Sequence, residues 1–334
     1  MSGYAVRTSS PAGDFELSAA SPRHNGRVNA DLLPVDLPTT PALALRGQRF
    51  HAGRPAVMAI VNRTRDSFYV TAGTDALEPA LDALASAVAS GADIVDVGGV
   101  RAGQQGEWVD VATEVARVRP FLLAARERFP DLVLSVDTWR SEVLEAIADV
   151  GVDLVNDTWA GADPDLVLGA ADLGAGYVVS HTGGLPPRTD PVDISYGDDP
   201  DGVVRSVLAG LAAGAQRAVD AGVRPEAVLV DPTLDFGKTT RNSLRVLRAT
   251  ASVAALGYPV LQAISRKDFV GETLDLPADE RLEGSLAATA VAAWLGATVF
   301  RTHDVRATRR ALDMVASIRG DRPPSVAVRG ERKP

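Results

Sequence analysis

Eight times between residues 57 and 303 the chain repeats one short pattern, and that repeat restricts its fold more than any other property. In its fullest form a helical stretch closes on a glycine, a β-branched run follows, and the run ends on a polar side chain. Gly91-Ala-Asp-Ile94-Val95-Asp96 and Gly151-Val-Asp-Leu154-Val155-Asn156-Asp157 have this form. So do Gly176-Tyr-Val178-Val179-Ser180-His181 and, after Gly222, Ala227-Val228-Leu229-Val230-Asp231. The segments Val260 to Ser265 and Val299-Phe300-Arg301-Thr-His303 follow, while Val57 to Val61 before Asn62 and Leu132 to Val136 before Asp137 complete the eight. Between the runs the spacing is helical: Leu77, Leu81, Leu84 and Val88 share one face, and Gly91 stands where a C-terminal cap belongs. Continuous apolar strands alternating with helices imply a parallel sheet covered on its faces. Eight such units predict an α/β protein built as a (β/α)8 barrel over residues 51–322, with a doubly wound open sheet as the rival.

Residues 1–50 are rich in Ser, Pro, Gly and Thr, and Pro34, Pro38 and Pro41 interrupt any helix there. They read as a flexible or loosely docked N-terminal extension, and residues 323–334 as a tail. The absence of cysteine excludes disulfide frameworks, thiolate metal sites and cysteine nucleophiles. A net charge of −9 and 5% aromatic residues argue against nucleic-acid binding, which needs a basic footprint and stacking rings. The longest mostly apolar stretch, Leu286 to Phe300, is shorter than the ~20 residues that span a bilayer. No basic segment followed by an apolar run opens the chain, so the expected location is cytoplasmic.

In such a barrel the chemistry sits at the C-terminal ends of the strands. Read in order, those ends carry Asn62, Asp96, Asp137, Asn156, His181, Asp231, Ser265 to Lys267, and Arg301 with His303. The chain holds only three lysines against 31 arginines, with four histidines and five asparagines, yet one lysine, two histidines and two asparagines fall in this ring. Carboxylates, amides and a lysine suit a flat, nitrogen-rich heterocycle, because a carboxylate accepts two parallel N–H bonds from an aminopyrimidinone edge. Arg301 and His303, two apart at the last exit, suggest an anion-holding pair, and Asn62 adds a metal or phosphate contact. No HxH or HExxH pattern supports zinc, whereas magnesium carried by a pyrophosphate needs few protein ligands. At this level Asp96 also reads as a turn cap, Phe236 as core and Lys238 as a surface charge.

The motifs carry a resemblance. Met58-Ala-Ile-Val-Asn62-Arg-Thr-Arg-Asp66-Ser67-Phe68, Asp96-Val-Gly98-Gly99, Ser135-Val-Asp137-Thr138 and Asn156-Asp157 resemble the dihydropteroate synthases. Asp231-Pro232 with Phe236-Gly237-Lys238-Thr239, Ser265-Arg266-Lys267 and Arg301-Thr-His303-Asp304-Val305 continue the series in family order. The resemblance implies a TIM barrel, usually a homodimer, that joins a dihydropterin pyrophosphate to p-aminobenzoate. Carried over by position, it puts Asp137, Asn156, Asp231 and Lys267 around the pterin, with Asp96 deep in the pocket. It packs Arg301 against the ring, brings His303 and Asn62 to the pyrophosphate, and borders the acceptor with Ser265, Arg266 and Phe236. Asp137, Lys267, Arg301 and His303 are the candidate catalytic groups. Magnesium bound with the pyrophosphate is the implied cofactor, and Asn62 its candidate protein ligand.

The departures cluster in two loops. Arg65 and Val70 stand where the family has proline and aspartate. After Gly98-Gly99 the chain runs Val100-Arg101-Ala102-Gly103-Gln104-Gln105. The family's threonine and arginine, which engage p-aminobenzoate and pyrophosphate, are missing there. Thr233 and Asp235 replace glycines, and Ser180-His181-Thr182-Gly183-Gly184 replaces Met-His-Met-Gln-Gly. This pattern resembles the divergent second synthase paralogue of actinobacteria, regarded as lacking folate activity. It implies a pterin site with weak or lost condensation. The alternatives are an active synthase, a pterin-dependent transferase with another amine acceptor, a catalytically silent pterin-binding barrel, and a Schiff-base lysine at Lys267.

Overall fold

The computed structural model describes residues 40–63, 77–101, 108–189 and 194–329. A short antiparallel hairpin, β1 (Leu43–Leu45) and β2 (Gln48–Phe50), precedes eight parallel strands. These are β3 (Ala56–Asn62), β4 (Ile94–Gly98), β5 (Val133–Asp137), β6 (Leu154–Asp157), β7 (Gly176–Ser180), β8 (Val228–Asp231), β9 (Leu261–Ala263) and β10 (Val299–Thr302). Around them run α1 (Leu77–Ala89), α2 (Val111–Arg128), α3 (Ser141–Ala146), α4 (Asp165–Asp172), α5 (Gly202–Asp220), α6 (Thr240–Arg248), α7 (Thr250–Ala254), α8 (Asp268–Leu274), α9 (Leu282–Trp294) and α10 (Val305–Arg319). Gly91, which ends the turn after α1, has φ +101°, the left-handed conformation expected of a glycine cap.

The strands pair in the order β8-β7-β6-β5-β4-β3-β10-β9. Val230 of β8 bridges Val260 beside β9, and the Val230 N–H donates to the Pro259 carbonyl at 3.0 Å, so the ring closes. Closure selects the barrel over the open sheet, whose edge strands stay unpaired. The period of two along each strand divides the core. Ala56, Met58, Ile94, Val133, Leu154, Val178, Leu229, Leu261 and Val299 fill the lumen. Val57, Val95, Leu134, Val155, Val179, Val230 and Phe300 face outward against the helices.

The sequence reading assigns residues up to about 50 to the extension. The structure moves the barrel's start back to the hairpin. Leu43, Leu45 and Phe50 are buried with the lumen residues, and a Cβ on Gly176, the first residue of β7, would lie 2.7 Å from Leu45 Cδ2. The hairpin therefore plugs the N-terminal end of the barrel, leaving the opposite end for chemistry. Strands of three residues are too short to show periodicity. Residues 1–39 and 330–334 lie outside the described residues. Arg65 and Val70, and Ala102 to Gln105, lie outside them too.

Candidate active site at the strand ends

Register stacks the polar ring in layers. Asp96 pairs with Ser135 across β4 and β5, and one layer nearer the mouth Gly98, Asp137 and Asn156 stand abreast. Asp96 is fully buried inside the lumen, so it is no turn cap. Its Oδ1 accepts from Ser135 Oγ at 2.6 Å, and its Oδ2 accepts from Asn156 Nδ2 at 2.9 Å and Arg301 Nε at 2.6 Å. The other arm of the Arg301 fork, Nη2, donates to Asp137 Oδ2 at 2.8 Å. One guanidinium from β10 thus joins carboxylates of β4 and β5. Nε and Nη2 of Arg301 are both engaged by carboxylates. Asn156 Oδ1 is buried and has no hydrogen-bond partner among the described residues.

Asp231 ends β8, and its Oδ1 accepts from the Thr233 N–H at 2.7 Å. Burial pushes its carboxyl above the usual range, against the opposing pull of the Lys267 charge and that N–H. Burial pulls the Lys267 ammonium down, with Asp235 and Asp231 working the other way. Lys267 Nζ donates to the Leu234 carbonyl and lies 5.1 Å from the centroid of the Phe236 ring. Phe236 is half-buried at the mouth rather than in the core. Lys238 is not a surface charge. It is buried and donates to the carbonyls of His181 (2.7 Å), Phe236 (2.9 Å) and Thr233 (3.0 Å), and burial beside Lys267 lowers it to about 7.

At the rim, Ser265 Oγ meets His303 Nδ1 at 3.3 Å, and Arg266 forks onto Asp304 at 3.1 and 2.8 Å. His303 is exposed at the rim, yet partial desolvation by the surrounding protein and the Arg301 charge lower its imidazole, so its ring is neutral near pH 7. Asn62 is exposed at the end of β3, and its amide has no hydrogen-bond partner among the described residues. His181 faces α5 instead of the lumen, its Nε2 3.0 Å from Ser206 Oγ. Gly99 packs tightly: a Cβ there would meet Glu114 Cγ and Val118 Cγ1 of α2 at 3.0 Å.

Two side chains escaped the sequence reading. The Trp159 ring lies 5.3 Å from Phe236 and 6.5 Å from Trp139, and Arg140 stacks 4.4 Å over Trp139. These contacts join the exits of β5, β6 and β8, with Trp159 buried between the other two rings. A signal existed: two of four tryptophans follow strand exits within three residues.

Asp137 makes the site pH-sensitive. Burial raises its carboxyl to about 7, Arg301 opposes the shift, and Asp96 adds to it. A folded-state value above the unfolded one means that the folded protein keeps a proton which the unfolded chain releases. The resulting stability is present in acid and is lost as pH rises through about 7. Urea titrations between about pH 5 and about pH 8 are expected to show Asp137→Asn gaining on the wild type as pH rises. A pH-independent difference between the two proteins would count against this assignment.

The family model described as pterin binding enzyme matches residues 58–303. Inactive dihydropteroate synthase 2 of Mycobacterium leprae is 54% identical over 286 residues, covering 86% of this chain and 98% of that one. Dihydropteroate synthase of Haemophilus influenzae is 35% identical over 254 residues, 76% of this chain and 90% of the relative. The structure of a dihydropteroate synthase from Coxiella burnetii in complex with pteroic acid superposes with a TM-score of 0.73 at 32% identity, covering 84% of this chain and 99% of that one. A family match over residues 58–303, with relatives 54% and 35% identical over most of their own length, places this chain in the family of pterin-binding enzymes.

Proposed function

We propose that the barrel mouth binds a dihydropterin pyrophosphate and that condensation with p-aminobenzoate is weak or lost. The observation carrying the reading is the buried, unpartnered Asn156 Oδ1 beside Asp96, in a ring that also holds Asp231 and Lys267. A buried acceptor without a donor costs about 1–3 kcal/mol, and an N–H of a bound heterocycle relieves that cost. Asp231 suits the aminopyrimidinone edge, since its carboxylate accepts two parallel N–H bonds. Asp137 and Lys267 flank the ring, Arg301 packs against it, and Asp96 holds both Asn156 and Arg301 in position. His303 and Asn62 face the pyrophosphate, while Ser265, Arg266 and Phe236 border the acceptor.

Among the described residues no group of three or more His, Asp or Glu is placed to hold a metal ion. The exposed Asn62 amide oxygen is one hard donor, which fits a magnesium ion that the substrate's diphosphate already carries. Bound there, magnesium would neutralise charge on the leaving diphosphate. Displacement at the pterin's exocyclic methylene needs no protein nucleophile. The lumen carboxylates stabilise the positive charge left on the pterin.

A homodimer is the assembly we propose. Val291 on α9 and Met314 and Ile318 on α10 expose 51%, 60% and 57% of their surface on adjoining helices, and sedimentation at the monomer mass would remove this part of the reading. No helix among the described residues is long and apolar enough to cross a membrane. The cytoplasm is the proposed location.

The test is calorimetry with dihydropterin pyrophosphate and magnesium. Asp231→Asn is expected to weaken binding by about 1–3 kcal/mol, the scale of lost charge-assisted hydrogen bonds. Equal affinities in variant and wild type would place the pterin elsewhere.

A further inference from the structure

The turn after β8 holds two residues against their own preference. Thr233 and Asp235 have φ of 52° and 71°, the left-handed region that glycine enters freely and a branched side chain resists. The synthases that the sequence resembles carry glycine at both places. Asp235 anchors the turn on two sides. Its Oδ1 accepts from Ser243 Oγ of α6 at 3.0 Å, and that same Oγ accepts from the Asp235 N–H at 3.0 Å. Its Oδ2 accepts from the Phe269 N–H in the first turn of α8 at 3.2 Å. Lys267, the residue before α8, reaches back the other way and donates to the Leu234 carbonyl. Turn and helix are joined twice, once in each direction. The ammonium ends over the Phe236 ring.

We infer that Asp235 is a positioning residue that pins the Lys267 ammonium on the Leu234 carbonyl and over Phe236, closing that ring face to an arylamine acceptor. The inference rests on reading the mouth as a pterin site with an adjoining acceptor site. An aromatic acceptor stacking on Phe236 has to displace a carbonyl-bound cation that already interacts with the ring. The charges facing Lys267 are Asp235, Asp231 and Asp268, which hold it, and Arg301, which repels it, with Lys238 as a further cation nearby. Asp235 adds both charge and hydrogen bonds to the hold. A glycine at this position keeps the backbone conformation and removes both.

The test is calorimetry on the full chain. It reads p-aminobenzoate affinity, with a dihydropterin alcohol and inorganic pyrophosphate at saturation, for the wild type, Asp235→Gly and Asp235→Asn. Asp235→Gly is expected to gain about tenfold in p-aminobenzoate affinity, the scale of one charge-assisted hydrogen bond released, and Asp235→Asn a smaller factor. Because Lys267 also flanks the pterin ring, affinity for the dihydropterin alcohol is expected to change by a smaller factor than p-aminobenzoate affinity and not to move in step with it. A merely structural Asp235 would lower both affinities together. That result, or p-aminobenzoate affinity that is unchanged or undetectable in both variants, overturns the inference. If Asp235→Gly does not fold, Asp235→Asn decides, because its amide oxygen still accepts from the Phe269 N–H. A gain in p-aminobenzoate affinity without any dihydropterin binding overturns the proposed function and leaves the clasp standing.

Discussion

Replacing Arg301 with methionine is expected to cost the barrel about 3–5 kcal/mol of unfolding free energy, the scale of removing one partner from a buried ion pair. Arg301 is the shared counter-ion of Asp96 and Asp137, bonded to them at 2.6 and 2.8 Å. Asp96 is fully buried, so its charge has little water to fall back on. Asp137 sits near 7 even with the guanidinium in place. Without Arg301 the two carboxylates repel each other in the lumen, and the folded state takes up protons that the unfolded chain does not. The loss is therefore largest near neutral pH and shrinks as pH falls, vanishing only below about 4, where the unfolded chain's carboxylates are protonated as well. Urea unfolding of Arg301→Met at several pH values checks this. A loss below about 1 kcal/mol at pH 7 would mean that the pair behaves like a solvated surface bridge.

Most of the scaffold was legible in the sequence because its signals are local. Each strand announces itself by a short apolar run, in several cases after a glycine, and each exit by a polar residue, so all eight strands of the barrel lie where the pattern puts them. Closure is a different matter. It depends on the bridge between Val230 and Val260, a contact that no window of sequence contains. The hairpin Leu43–Phe50 was hidden because three-residue strands have no measurable period and the prolines just before them read as loop.

The candidate site divides in the same way. That Asp96, Asp137, Asn156, Asp231, Lys267 and Arg301 gather at one end follows from their positions at strand exits. Which carboxylates Arg301 bridges does not follow, since it spans three strands whose register sets the distances. Lys238 reads as a surface charge because one of its carbonyl partners, His181, lies 57 residues back in the loop after β7, and only the pairing of β7 with β8 brings that loop beside the turn. Trp159 went unnoticed because its partner Phe236 lies 77 residues further along.

With p-aminobenzoate as acceptor, turnover is expected to fall on the order of 10²–10³ or more below that of a synthase with the full loop set, the scale of deleting one electrostatic donor from an active site. The losses fall on one side of the reaction. Groups proposed for the pterin project from strands, and Asp96, Asn156 and Asp231 all stand in place. Groups that engage acceptor and pyrophosphate in the resembling synthases include a threonine and an arginine after Gly98-Gly99, and this chain has neither at its place. Arg65 and Val70 stand where the other loop carries proline and aspartate. Among the described residues, the cations at the ends of β9 and β10 are already engaged. Arg301 is spent on two carboxylates, Arg266 forks onto Asp304, and Lys267 is held by the Leu234 carbonyl. His303 is neutral near pH 7. Charge developing on a departing pyrophosphate thus meets few uncommitted positive groups among the described strand-end residues, whatever the affinity for the pterin. Pyrophosphate release and pteroate formation, measured beside pterin binding on the same preparation, separate the two halves of the site. Restored growth of a synthase-null bacterium at ordinary expression would show that Arg63, Arg65 or Arg101 rebuilds the missing charge, and the expected loss would then be wrong.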